Sequence, residues 1–349
     1  MRDLLTDYDR FAAAGRPFGR AVVTRVWGSA PRAAGACLLA SADGQIAGSV
    51  SGGCVESATA LEVAAAIERG TPKLVTYGVS DERAWEVGLA CGGTISVLVE
   101  PSVRPEVAAA AQGAGGVVIA TVVEGAGTGT SLVVRDDGRL EGNLTDGIDR
   151  EAVRLAAQDA LAREASATIE LPAPGGTARI FLEVFPRSPK LVIFGGVHIA
   201  AALVPLAKAL GYSTVVADGR EAFLGRDRFP DADELVLAWP AEAFARIGLD
   251  RATYVCVLSH DPKFDEPALE TALRSDAAYV GAIGSAKTQK ARRERLAAAG
   301  ITNQQLARLH GPIGLDLGGR QPAETALAIL AEMTAVRYGG QAVRRTGGQ

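Results

Sequence analysis

The sequence predicts an α/β protein: a doubly wound parallel sheet in the C-terminal half and an α+β domain before it. Three observations carry this. From residue 190 onward, short wholly apolar runs alternate with helical segments, and runs apolar throughout suit strands that are covered by helices on both faces. Before residue 187, strand-like runs follow one another through turn signals such as Asp43-Gly44, the mark of hairpins. Between the two patterns, Phe185-Pro186-Arg187-Ser188-Pro189 sets two prolines where neither a helix nor a ladder continues easily. The expected domains are residues 1–187, including a middle extension over 102–185, then 188–338, then a flexible tail over 339–349.

Taken in order, residues 3–14 read as a helix and 20–27 as a strand ended by Gly28-Ser29-Ala30-Pro31. Residues 36–40 and 45–50 read as a hairpin pair, and Gly70 ends a helix over 55–69. Strands follow at 73–77 and 95–100. The middle extension offers strands at 116–124 and 130–135, a helix at 149–163, and strands at 167–171 and 178–184 around a Pro-Gly turn. These strands are expected to join the first region in one domain. Beyond the linker, strands are expected at 190–194, 213–217, 234–237, 254–258 and 279–282, with helices at 199–210 and 323–337. The cluster Arg292-Arg293-Glu294-Arg295 reads as a solvated helix face.

Composition narrows the function class. A formal net charge of −4 speaks against a nucleic-acid or membrane-surface protein, which usually carries a basic footprint. No apolar run is long enough for a spanning helix, and the first residues lack the basic start and apolar stretch of a signal peptide. The four cysteines are widely spaced and form no CxxC pair, so no disulfide framework is expected and a reducing cytoplasm is the default.

The strongest chemistry of the second half lies at Gly195-Gly196-Val197-His198, where an apolar strand ends and a helix starts at once. Backbone N–H groups and the macrodipole at such a helix start favour an anion. Asp218 stands 23 residues after Gly195, with Arg220 beside it. An acidic residue at the end of the second strand can accept hydrogen bonds from a ribose, the pattern of a Rossmann-like dinucleotide site. The GxGxxG motif is incomplete: Val197 stands at its second glycine and Ala201 at its third. Two further loops follow strands, on the edge where ligands bind in such sheets. Ser259-His260-Asp261 cannot form a hydrolase triad, since consecutive residues do not stack into a relay. Gly284-Ser285 could hold a phosphate or pterin group, and capping of the next helix is the plain alternative for each loop.

Cys54 follows Gly52-Gly53, and Cys91 precedes Gly92-Gly93. Glycine removes side-chain cover, so both sulfurs could be reachable. Cys54 sits near a helix start, where the dipole favours a thiolate and Glu56 opposes it. Cys37 and Cys256 lie inside apolar strands and read as core thiols. A zinc site from Cys54, Cys91 and a histidine is conceivable, but the spacing matches no zinc pattern.

Together the stretches GSAPRAAGA (28–36), GSVSGGCVE (48–56), ACGG (90–93), FGGVHIA (194–200), VLSHDPKFDEPAL (257–269), YVGAIGS (279–285) and LHGPIGLDLGGRQPAE (309–324) resemble the XdhC/CoxF (XdhC/CoxI) family of accessory proteins for molybdenum hydroxylases. The resemblance implies a chaperone that binds molybdenum cofactor and supports its sulfuration with a cysteine desulfurase. It would then deliver the cofactor to a xanthine dehydrogenase-like or carbon monoxide dehydrogenase-like apoenzyme. It further implies Cys54 and Cys91 as the thiols, in contact with molybdenum or transferring sulfur. Gly52, Gly53, Gly92, Gly93, Gly195, Gly196, Val197, His198, Asp218, Arg220, His260, Asp261, Gly284 and Ser285 would line a cofactor cleft between the domains. A homodimer is also compatible with it. Ala30, where the family often has Thr, and Val197, where it usually has Gly, depart from the pattern. The alternative is an oxidoreductase that uses FAD or NAD(P) in the Rossmann-like domain.

Overall fold

The structure is a computed structural model and describes residues 1–78 and 93–340. By its internal contacts the chain separates into two compact units, Met1–Arg187 and a second beginning at Ser188.

The first unit holds two antiparallel sheets. One runs in the order β3-β2-β1-β5-β4, from β1 (Phe18–Trp27), β2 (Cys37–Ser41), β3 (Ile46–Gly48), β4 (Lys73–Tyr77) and β5 (Thr94–Glu100). Helix α1 (Leu5–Ala13) precedes it, and α2 (Glu56–Arg69) lies against one face. Ala60, Val63 and Ala66 recur at helical spacing on α2 and pack on Ala21, Val23 and Val97. Gly70, at φ +69°, ends the helix in the left-handed conformation that glycine adopts without cost.

The second sheet of this unit follows the order β8-β7-β6-β10-β9. Its strands are β6 (Val117–Glu124), β7 (Ser131–Arg135), β8 (Leu140–Asn143), β9 (Ala167–Ala173) and β10 (Gly176–Phe185). Helix α3 (Pro105–Gln112) leads into it, and α4 (Arg150–Ala162) covers it through Val153, Ala157 and Ala160. Asp149 caps α4 by accepting from the N–H groups of Glu151 and Ala152. The strand expected to stop at 171 continues through Pro172, because β9 is an edge strand where a missing N–H costs no ladder bond.

A buried charge cluster joins the two sheets. Arg20 of β1 is fully buried; it donates in bidentate fashion to Glu183 of β10 at 2.8 Å on both arms, and through Nε to Glu100 of β5. A charge-assisted fork of this kind is the arrangement that makes an interior guanidinium tolerable.

The second unit is a single parallel sheet in the order β13-β12-β11-β14-β15-β16. Its strands are β11 (Lys190–Phe194), β12 (Ser213–Asp218), β13 (Glu234–Leu237), β14 (Thr253–Val257), β15 (Tyr279–Ala282) and β16 (Leu309–His310). One face carries α5 (His198–Ala209) and α10 (Pro322–Tyr338), whose Leu203, Ile329 and Met333 bury Ile193 and Cys256. The other carries α6 (Pro240–Ile247), α7 (Pro262–Arg274) and α8 (Ala286–Ala298), with Phe244, Leu269 and Leu296 over Val192 and Val255. A short α9 (Asn303–Ala307) precedes β16. The α/β class is as expected from the apolar runs. The order of strands reverses between β11 and β14, which makes the carboxyl ends of those two strands the switch point where ligands bind in such sheets.

Only half of the arginine cluster of α8 is the solvated face expected of it: Glu294 and Arg295 are exposed, whereas Arg292 and Arg293 turn inward. Arg292 is buried and donates to Asp265, and Arg293 donates to the carbonyls of Leu306 and Leu309. Charge alternation alone does not show which guanidiniums turn inward to meet buried carbonyls and carboxylates. No helix among the described residues is long and apolar enough to cross a membrane.

Candidate functional site

In the second unit, the turn after β11 is shaped by close packing within the chain itself. A side-chain carbon on Gly195, at φ +112°, would lie 2.8 Å from the Ser259 nitrogen, and one on Gly196 would lie 2.2 Å from the Phe223 carbonyl oxygen. Both glycines are therefore required by neighbouring backbone. Val197 takes the N-cap of α5 and offers no capping side chain, and its own side chain packs on the apolar core under α5. His198 follows it, exposed.

Asp218 sits at the end of β12 with 1% of its surface exposed. Its carboxylate accepts from the Gly196 N–H at 2.9 Å, and from the N–H, Nε and a terminal nitrogen of Arg220, each at 2.9 Å. Burial works against the charge, but the donors from Arg220 and Gly196 outweigh it and hold the acid below its ordinary value. The residue expected to meet a ribose thus clamps the glycine turn. Arg220 in turn lies 3.9 Å above the Phe223 ring.

A pocket of about 600 Å³ opens at the carboxyl edge of the sheet. Its walls are Ile199 from the first turn of α5, His260 after β14, the segment Ile283-Gly284-Ser285-Ala286 after β15, and a stretch from Pro312 to Thr325. Two of the three helices that begin at these strand ends are capped by their own side chains. Asp261 accepts from the Lys263 N–H at the start of α7, and Ser285 from the Thr288 N–H at the start of α8. The α5 start has no such cap, so its first N–H groups keep their capacity for an acceptor.

Two buried polar chains fix the pocket walls. Ser259 donates to Asp265, which accepts from Arg292 at 2.9 Å. Arg292 also donates to the Ile283 carbonyl and to Gln289 Oε1, and Gln289 donates to the carbonyls of Ala282 and Ile283. The loop bearing His260 and the loop bearing Gly284 are thereby tied together from below. Burial pushes the Asp265 acid up despite Ser259 and Arg292. In the second chain, Glu332 of α10 accepts from Tyr279 Oη at 2.6 Å and from the Gly314 N–H at 2.8 Å, with His310 Nδ1 at 3.2 Å. This chain anchors the segment that supplies Asp316, Gly318, Gly319 and Arg320 to the pocket. Those four residues were not singled out from the sequence as site residues. The signal available was the glycine pair followed by a cation just before a helix, with Gln321 and Glu324 forming a capping box.

In the first unit, the loop before α2 carries Cys54, whose side chain is exposed, while Cys37 and Cys256 are buried. The helix itself starts at Glu56, one residue after its N-cap Val55. Glu56 turns back into the loop. Its carboxylate accepts from the N–H groups of Val50, Ser51, Gly52 and Gly53 and from the hydroxyls of Ser49 and Ser51. The positive φ values of Gly52 and Gly53 let successive N–H groups point inward. Burial opposes the charge, but these donors draw the acid down to about 2. The loop's anion-binding capacity is therefore taken by Glu56, and the thiol stands beside a nest already filled.

Gly52 lies against Pro31, and a side-chain carbon on Gly93 would meet the Ser29 carbonyl oxygen at 2.3 Å. The segment 28–32, the Cys54 loop and Gly93 thus converge at the end of β1. Cys91 and Gly92 lie outside the described residues. Among the described residues no group of three or more His, Cys, Asp or Glu side chains is placed to hold a metal ion.

Comparison with known proteins adds independent findings. The family description XdhC Rossmann domain matches residues 191–333, and XdhC and CoxI family matches residues 11–78. The chain is 26% identical over 325 residues to a probable xanthine dehydrogenase subunit from Bacillus subtilis (strain 168), covering 91% of this chain and 92% of that protein. It is 27% identical over 337 residues to the molybdenum cofactor insertion chaperone PaoD of Escherichia coli (strain K12), covering 94% and 87%. The crystal structure of a xanthine dehydrogenase from Bacillus halodurans superposes with a TM-score of 0.75 at 26% identity, over 97% of this chain and 96% of that one.

Proposed function

Since the chain belongs to the XdhC and CoxI family, we propose that it is a maturation chaperone that takes molybdenum cofactor as cargo for insertion into a molybdenum enzyme. The observation that carries this is the pocket of about 600 Å³ at the switch point, beside the α5 start, which has no side-chain cap. The size lies within the range of small-molecule sites. A pterin bearing a phosphate matches the chemistry of the walls. The N–H groups at the α5 start suit the phosphate, and Gly284, Gly318 and Gly319 let a flat ring approach backbone between Ile199, Ile283 and Ile313. The relative named a molybdenum cofactor insertion chaperone, aligned over 94% of this chain, supports the same reading.

The finer reading is that the chaperone supports sulfuration of the cofactor together with a cysteine desulfurase. It acts in the cytoplasm and delivers its cargo to a xanthine dehydrogenase-like or carbon monoxide dehydrogenase-like apoenzyme. Cys54, an exposed thiol, is the group that would touch molybdenum or pass sulfur, a soft donor suited to both, with Cys91 as its companion. A second reading, an FAD- or NAD(P)-dependent oxidoreductase, is favoured by the position of Asp218 at the end of β12. The engagement of that carboxylate by Gly196 and Arg220 and the bulk of Val197 speak against it.

The test is to incubate the purified full chain separately with molybdenum cofactor, NAD, NADP and FAD and to measure what co-elutes. Stoichiometric molybdenum cofactor, reduced by Ala286→Trp in the pocket wall, is the expected result. Co-elution of a dinucleotide without molybdenum cofactor would replace this reading with the second. Sulfur loading that persists in Cys54→Ala would remove the thiol's assigned role while leaving the cargo intact.

A further inference from the structure

We infer that the first unit holds a second ligand site, for a phosphoryl group, in the cavity walled by the segment 30–34. The cavity measures about 510 Å³ and is bounded by that segment, by Thr24, Arg25 and Val26 of β1, and by Ala167 and Thr168 of β9. Among the described residues its ionisable lining residues are Arg25 and Arg32, and no carboxylate lines it. Arg32 is the distinctive one. Its Nε is buried and has no hydrogen-bond acceptor among the described residues, and no ion pair joins Arg32 to another of them.

A guanidinium keeps its charge at every accessible pH and presents five donors in a fixed fork. Arg32 as a whole is half-buried, but a donor atom shut off from water without an acceptor is costly, and native structures keep few of them. The neighbouring polar groups do not supply the acceptor. Thr168 Oγ1 donates to the Thr24 carbonyl at 2.8 Å, and Glu170 is shared between Arg25, at 3.4 Å, and Arg179, at 3.2 Å. A group with several acceptor oxygens and negative charge suits the Arg32 fork, a phosphate above all, with Arg25, whose pair to Glu170 is long at 3.4 Å, as the second cation lining the cavity. The same segment lies near the Cys54 loop, where a side-chain carbon added to Gly52 would sit 3.5 Å from Pro31, so the occupied site would brace the backbone that presents the thiol. This inference goes beyond the cargo reading and does not require it: the anion site stands or falls on Arg32, whereas the cargo reading concerns the pocket at the sheet edge.

The experiment is isothermal titration of the full chain with inorganic phosphate, with a pterin monophosphate, and with the same pterin lacking its phosphate. The expected result is saturable binding of one or both phosphorylated probes, weakened at least about tenfold in Arg32→Gln and in Arg25→Gln. Arg135→Gln, at an exposed ion pair elsewhere in the unit, should bind as wild type does. Equal affinity for both phosphorylated probes identifies the bare phosphoryl group as the ligand. Tighter binding of the pterin monophosphate, with none of the dephospho form, identifies the phosphate end of a larger molecule. The inference is overturned if neither phosphorylated probe binds the wild-type chain at millimolar concentration, or if folded Arg32→Gln and Arg25→Gln bind both unchanged. Arg32→Lys, which keeps the charge but not the fork, guards against a variant that merely fails to fold and should retain part of the affinity.

Discussion

Replacing Glu56 by Gln tests how the Cys54 loop is held. The native carboxylate receives four donors on Oε1 and two on Oε2. An amide can accept on only one of its two ends, so at least two donors then face an NH₂ group. Hydrogen bonds to a charged group contribute about 1.5–3 kcal/mol each; discounted for the partial exposure of this residue, the net loss is about 2 kcal/mol. That corresponds to about 30-fold in an opening equilibrium. Amide hydrogen exchange at Gly52 and Gly53, compared between wild type and Glu56→Gln at one pH, should show protection falling by that factor. The pH dependence has a definite sign. Because the folded carboxylate titrates near about 2 instead of at its ordinary 4.5, its contribution is complete above about pH 4.5. It fades as the pH falls through about 2. Equal protection in the two proteins at neutral pH, or a difference that persists undiminished to about pH 2, would refute the account of the loop as a nest closed by its own carboxylate.

Other outcomes follow from the second unit and the thiols. Arg292→Ala leaves Asp265 buried without its cation and should lower stability by about 3–5 kcal/mol; chemical denaturation followed by a probe in that unit measures it, and a loss below about 1 kcal/mol would show that the chain beneath the pocket is solvated. Gly195→Ala must place a carbon against the Ser259 nitrogen at a positive φ, so it should cost more than about 2 kcal/mol, whereas Val197→Gly, at an N-cap that tolerates glycine, should cost about 1–2 kcal/mol from lost packing. Thermal melting of the two variants side by side checks that order. In native protein a thiol reagent should modify Cys54 quickly and leave Cys37 and Cys256 untouched until denaturant is added. Both core thiols are pushed up by burial, and mass spectrometry of the labelled peptides reads the result.

The parallel sheet was legible because its strands are apolar on both faces and because glycine and a helix pattern follow the first of them at once. The helices α3, α6, α7 and α9 leave a weak pattern, since each is short or Pro-led. The site was legible where a residue type is forced by local geometry. Gly195, Ser285, Asp261 and the exposed Cys54 lie in the turns and caps that their chemistry suggested. What spacing cannot show is which neighbour takes up a functional group. Asp218 reads as a ribose acceptor until Gly196 and Arg220 are seen to fill it, and Glu56 reads as a charge opposing the thiol until four backbone N–H groups are seen to converge on it. The pocket wall around Asp316 and Arg320 depends on β16 joining the sheet through two residues, a pairing too short to leave a pattern.

The cluster of Arg20, Glu100 and Glu183 decides where this chain can be cut. Residues 1–101 contain a complete five-stranded sheet with its helices, and the family match within the first unit ends earlier still, at 78. Either stretch, expressed by itself, would strip from Arg20 the bidentate carboxylate that β10 supplies. A permanently charged group would then keep one of its three carboxylate bonds in the longer stretch and none in the shorter, which also lacks Glu100. The smallest N-terminal fragment with its interior charges matched runs through Glu183, so a soluble fragment for binding work should be ended at the linker, not at the edge of the recognisable motif.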